Sequence, residues 1–145
     1  MPFAAVGKYR IYYVDEGEGF PLVLIHGLAG DHTAWKPQIE AFRARDRVVA
    51  FDNRGAGQST QVDEAVTTAD LAQDTLALMD ALGISRAHIV GRSMGGSIVG
   101  GGQPLHPLFF VSGISTVWRR MVRSLRALVH AFCSASNRLR NEAPR

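Results

Sequence analysis

The sequence predicts an α/β fold, a predominantly parallel sheet flanked by helices. Three observations lead there. Short apolar runs recur along the first hundred residues, as strands buried on both faces require. Segments of helical period lie between them. A glycine-bearing or acidic turn follows each run directly. Strand, helix, strand, helix, strand is the grammar of a parallel sheet with right-handed crossovers.

The elements follow in order. Tyr9, Ile11 and Tyr13 alternate with other residues up to Asp15-Glu16-Gly17, which predicts an edge strand closed by a turn. Pro21-Leu22-Val23-Leu24-Ile25 is a continuous apolar run between Gly19 and Gly27, the pattern of a buried parallel strand. Trp35 to Ala44 reads as a helix with Trp35, Ile39 and Phe42 on one face. Arg47-Val48-Val49-Ala50-Phe51 is the second buried strand and ends at Asp52. From about Ala69 to Leu82 a wide apolar stripe predicts the second helix. Thr67 is its N-cap, Asp70 stands three residues on, and Gly83 sits where a left-handed cap is wanted. Ala87-His88-Ile89-Val90 is the third buried strand and ends at Gly91.

In such sheets ligands bind at the carboxyl ends of the strands. The three ends carry His26-Gly27-Leu28-Ala29-Gly30, then Asp52-Asn53-Arg54-Gly55-Ala56-Gly57-Gln58-Ser59, then Gly91-Arg92-Ser93-Met94-Gly95-Gly96. The last is G-x-S-x-G between a strand and a helix start, the context of a nucleophile elbow. A serine on so tight a turn is forced into a strained backbone, and its neighbours two before and two after must be small; Gly91 and Gly95 are. The helix start behind Ser93 favours negative charge developing in front of it.

These three motifs, in this order on alternating strands, make the segment from about Tyr9 to Val99 resemble the N-terminal half of an α/β-hydrolase, of the serine esterase, lactonase and C–C hydrolase type. The resemblance implies that Ser93 is the nucleophile and that the backbone N–H groups of Leu28 and Met94 form an oxyanion hole. Gly27, Gly91 and Gly95 are then the motif glycines. It implies hydrolysis of a carboxylic ester, lactone or related carbonyl compound, a small-molecule substrate and no cofactor. Gly55-x-Gly57 lacks the third glycine or the Lys-Ser/Thr pair of a phosphate cradle. His26 with His32 lacks a third ligand at metal spacing, so no metal is expected and His26 reads as part of the oxyanion loop. Arg92 either lines the pocket or is solvated.

After Ser93 the agreement stops. A serine hydrolase of this fold orders its triad Ser…Asp/Glu…His. Here the one carboxylate after Ser93 is Glu142, and His106 and His130 both precede it, so the catalytic acid and histidine are not identifiable. Gly100-Gly101-Gly102-Gln103-Pro104 is expected to end the helix behind the elbow after little more than a turn, since Gly costs about 1 and Pro about 3 kcal/mol in a helix interior. Leu108 to Val111 reads as a short strand at most.

Composition changes at the same place. Residues 1–100 hold nine basic and twelve acidic residues, a net of −3, whereas 101–145 hold seven Arg and the single Glu142, a net of +6. The expected organisation is therefore a hydrolase core over 1–100 and an unrelated basic tail over 101–145, the product of a frameshift or a truncated gene. In that tail, from about 116 to 133, Trp118, Met121, Val122, Leu125, Leu128, Val129 and Phe132 fall within roughly 120° at the helical step, opposite Arg119, Arg120, Arg123, Arg126 and His130. Such a stripe either covers the exposed sheet edge, is fortuitous, or binds an anionic membrane or a partner's groove, which would make a non-catalytic binding protein the alternative reading. A basic balance confined to the tail argues against nucleic acid as a partner of the whole chain. Cys133 is the one cysteine, which excludes an intramolecular disulfide framework. With 46% hydrophobic and 20% charged residues and no basic-then-apolar leader, a globular cytoplasmic protein is expected.

Overall fold

Ala4 and Val6 alternate with outward-facing neighbours in β1 (Phe3–Val6), which a Gly7-Lys8 turn joins to β2 (Tyr9–Glu16). The two pair antiparallel with Val6 opposite Tyr9. Gly7 adopts φ +57, which a two-residue hairpin turn of the primed type needs. This computed structural model describes residues 2–101 and 109–112, which belong to one unit spanning Met1–Gly113. The amphipathic helix expected at about 116–133 lies outside the described residues, as does most of the expected tail.

The buried apolar runs form β3 (Phe20–Ile25), β4 (Asp46–Phe51) and β5 (His88–Gly91), and β6 (Phe109–Ser112) follows. The sheet order is β1-β2-β4-β3-β5-β6. β2 runs antiparallel to β4, and the β4-β3-β5-β6 section is parallel. The sheet is thus mixed, with its parallel part where the continuous apolar runs predict it. One expectation needs correction: Tyr9–Tyr13 is not an edge strand, because β1 pairs along its outer side. Phe3–Val6 is too short for its alternation to stand out, and only the Gly7 turn marks it.

Helices cover both faces. A short 3₁₀ turn (His32–Trp35) leads into α1 (Lys36–Phe42), whose Pro37 falls in the first turn, where no N–H is missed. Trp35, Ile39 and Phe42 are all buried, as their spacing predicts. α2 (Thr68–Ala81) begins with a reciprocal capping box. Thr67 Oγ1 accepts from Asp70 N at 3.1 Å, and Asp70 Oδ2 accepts from Thr67 N at 2.9 Å. Gly83 adopts φ +67 just beyond its end.

Pleating sorts the core. Val23, Ile25, Val49, Phe51 and Ile89 pack with Leu71, Leu78, Met79 and Ile98 of the α2 side. Leu22, Leu24, Val48, Ala50 and Val90 are buried on the alternate face, where α1 meets β4. α3 (Met94–Gly101) runs further than expected, about two turns, and includes Gly100 and Gly101. The intrinsic cost of glycine is offset by packing, with Ile98 buried against α2. β6, close to the strand read at Leu108–Val111, pairs parallel with β5 and carries the sheet past residue 100. Among the described residues, no helix is long and apolar enough to cross a membrane.

Candidate active site

β3 lies at the centre of the parallel section, with β4 added on one side and β5 on the other, so the strand order reverses beside it. The crevice at such a switch point opens beyond the carboxyl ends of the strands. The loops after β3 and β5 meet there.

Gly91 closes β5, and Ser93 follows with φ +57, in the left-handed region that side chains disfavour. The turn is tied by Gly95 N donating to Arg92 O and Gly96 N donating to Ser93 O, both at 2.9 Å. Its closeness explains the glycines. A Cβ on Gly91 would collide with the carbonyl of Gly95, and one on Gly95 with the Ile25 carbonyl at the end of β3. The result is a solvent-exposed Ser93 at the amino end of α3, where the helix dipole favours an anion.

The loop after β3 presses on this turn. Arg92 N donates to Ile25 O at 3.0 Å. A Cβ on Gly27 would stand 2.9 Å from Ser93 Cβ and 3.2 Å from Met94 N, so this loop reaches the elbow only with glycine there. Besides Ser93, Ala29 in this loop is the one non-glycine with positive φ (+57) among the described residues. Both strained positions therefore flank the same crevice. Among the described residues neither Leu28 N–H nor Met94 N–H donates to a protein acceptor. Both residues line a cleft of about 290 Å³ with Gly27, Asn53, Gly57 and Leu71. Leu28 is 80% exposed.

The loop after β4 forms the opposite wall. Asp52 is fully buried; its Oδ1 accepts from His32 N (2.7 Å) and His32 Nδ1 (2.8 Å), and its Oδ2 from Gln58 N (2.8 Å). Ser59 Oγ donates to Asp52 O at 2.6 Å and accepts from Tyr12 N at 2.9 Å, which ties the loop back to β2. Arg54 makes a two-pronged pair with Asp74 of α2, both bonds 2.6 Å, and its guanidinium lies 4.1 Å from the Tyr9 ring centre. Asn53 Nδ2 donates to His26 O at 3.0 Å. The D-x-R-G-x-G-x-S pattern is therefore a brace between two strand-end loops, β2 and α2.

The structure brings Ser93, Leu28, Met94, Gly27, Gly91 and Gly95 together at the ends of β3 and β5. Arg92 is exposed and does not line the cleft. His26 lies against Gly30 and, edge-on, Trp35 (ring centres 6.0 Å apart). His32 instead joins Asp31 and Asp52, whose ligand atoms lie within 4.8 Å of one another. The carboxylates of that trio are occupied by N–H and O–H donors: Asp52 as above, Asp31 by the N–H and hydroxyl of Thr33. The Thr33 hydroxyl and then its N–H hold the Asp31 carboxyl below the usual carboxylate range. The trio acts as a hydrogen-bonded clip. Sequence reading missed the parts played by Asn53, His32 and Asp74. Asn53 lay inside a recognised motif, whereas nothing local marks Asp74 as the partner of Arg54.

Residues 21–100, more than half of the chain, match the family model described as the alpha/beta hydrolase fold. The chain is 37% identical over 98 residues to a candidate carbamate hydrolase, RutD, of Azorhizobium caulinodans, covering 68% of this chain and 37% of that one. It is 42% identical over 91 residues to 3-oxoadipate enol-lactonase 1 of Acinetobacter baylyi, covering 62% and 34%. Among solved structures, the enol-lactonase of Burkholderia xenovorans LB400 is 38% identical with a TM-score of 0.65, over 67% of this chain and 39% of that chain. The match thus spans between a third and two fifths of the length of these relatives.

Proposed function

The chain belongs to the α/β-hydrolase fold family, and from that premise we propose that it carries the nucleophile and oxyanion half of a serine hydrolase acting on a small carboxylic ester, lactone or related carbonyl compound. The observation that carries the reading is Ser93 held at φ +57 between Gly91 and Gly95, beside two backbone N–H groups that no described residue engages. Relatives named as a lactonase and a carbamate hydrolase support the substrate class.

In this reading Ser93 Oγ attacks the carbonyl carbon. The carbonyl oxygen becomes an anion, which the N–H groups of Leu28 and Met94 stabilise together with the α3 dipole. Collapse expels the alcohol and leaves an acyl group on Ser93, which water removes. The reaction also needs a base to take the serine proton and return it to the departing oxygen, which the nucleophile and oxyanion half does not itself supply.

Fluorophosphonate labelling read by intact mass tests the assignment, with and without added imidazole to supply a base. One label on Ser93, faster with imidazole and absent from Ser93→Ala, is the expected result. No Ser93-dependent label under either condition would overturn the nucleophile reading.

A further inference from the structure

We propose that Asn53 is a positioning residue for the oxyanion loop, acting through the carbonyl of His26; the inference rests on the assignment of Leu28 N–H to the oxyanion hole. His26 O is the acceptor on the peptide directly before Gly27, and Asn53 Nδ2 is its one donor among the described residues, at 3.0 Å. Gly27 has no side chain with which to fix itself. Its own carbonyl is held by longer contacts, Gly30 N at 3.4 Å and His26 Nδ1 at 3.3 Å. A rotation of the His26–Gly27 peptide turns Gly27 and, with it, the peptide that carries Leu28 N–H. The Asn53 amide is the shortest restraint on that rotation.

The anchor itself is rigid. Asn53 follows Asp52, whose carboxylate takes three N–H donors, and Asn53 O accepts from Ala56 N at 3.0 Å. The side chain thus runs as a strut from a braced loop to one whose own contacts are longer.

The other end of the amide shows that space-filling is not the reason for it. Asn53 is 5% exposed, and its Oδ1 is buried with no hydrogen-bond partner. An unsatisfied buried acceptor is destabilising, whereas an apolar side chain of similar size avoids it. What the amide supplies and leucine lacks is the N–H to His26 O.

The test uses the ¹⁵N-labelled 145-residue chain and two nearly isosteric variants. In Asn53→Leu the Gly27 and Leu28 amide signals are expected to leave their wild-type positions while the thermal midpoint is unchanged or higher. In Asn53→Asp they are displaced at about pH 8 and return towards wild type at about pH 5, where the protonated carboxyl donates O–H to His26 O. A role in packing alone would not reverse with pH. Wild-type Gly27 and Leu28 signals in Asn53→Leu overturn the proposal. So does a displacement in Asn53→Asp that ignores pH, and so does loss of the whole fold in Asn53→Leu, which would make Asn53 a determinant of folding. These signals need no reaction at Ser93, so a failure of labelling there leaves this test standing. Where Ser93 labels, Asn53→Leu slows it by about tenfold or more.

Discussion

At Gly91 the constraint is space. Its φ is ordinary, yet a single added methyl meets the backbone of Gly95, which cannot swing aside as a side chain would. Gly91→Ala is therefore expected to cost about 1–3 kcal/mol, in the range of overpacking, and to shift the urea midpoint down. An unchanged midpoint would mean that the elbow is looser than its contacts imply. At Asp31 the constraint is electrostatic. Two Thr33 donors lower its carboxyl pKa in the folded chain. A depressed carboxyl contributes stability in full above the ordinary carboxylate pKa, and that contribution is lost as pH falls through the lower folded value. Thr33→Val removes the hydroxyl, the larger cause. The Asp31 side-chain ¹³C titration should then move up towards the ordinary range, and part of the stability gained between strongly acidic and mildly acidic pH should vanish. A titration that stays put would assign the lowering to another group.

Between elements, local signals were legible and distant ones were not. α2 could be read to within a residue because its start and stop are chemical and near at hand, Thr67 with Asp70 at one end and Gly83 at the other. β2 reads as an edge from its own residues because whether a strand has a neighbour depends on β1, which is short and arrives from outside the alternating run. α3 outlasted its glycines because packing on α2 is a tertiary term that propensity does not contain. The Arg54–Asp74 pair is of the same kind: it joins the loop after β4 to α2, and no periodicity announces it. Its side chains are only 13% and 7% exposed, so removing one charge strands the other. Asp74→Ala is expected to destabilise by about 3 kcal/mol, read by chemical denaturation. Asp74→Ala combined with Arg54→Met should recover part of that loss. A single substitution costing only a few tenths of a kcal/mol would show that Arg54 reaches water when unpaired.

At the scale of the molecule, the candidate site was legible as three strand-end motifs because the topology that brings them together follows from the parallel apolar runs. The brace behind it was not, since Asn53, His32 and Asp74 act through contacts that only the folded chain makes. What the proposed nucleophile half could do without a base sets the last prediction. A serine hydroxyl is a poor nucleophile at neutral pH unless a base takes its proton. After Ser93 the 145-residue chain offers His106, His130 and then Glu142, an order in which no histidine follows a carboxylate. The proposed oxyanion groups would stabilise charge once attack occurs, but would not generate the alkoxide. The purified chain is therefore expected to hydrolyse p-nitrophenyl acetate no faster than its Ser93→Ala variant, even where a fluorophosphonate phosphonylates Ser93 once. A burst and steady turnover that vanish in Ser93→Ala would overturn this. They would mean that the chain supplies a base, which single His→Ala variants would then locate.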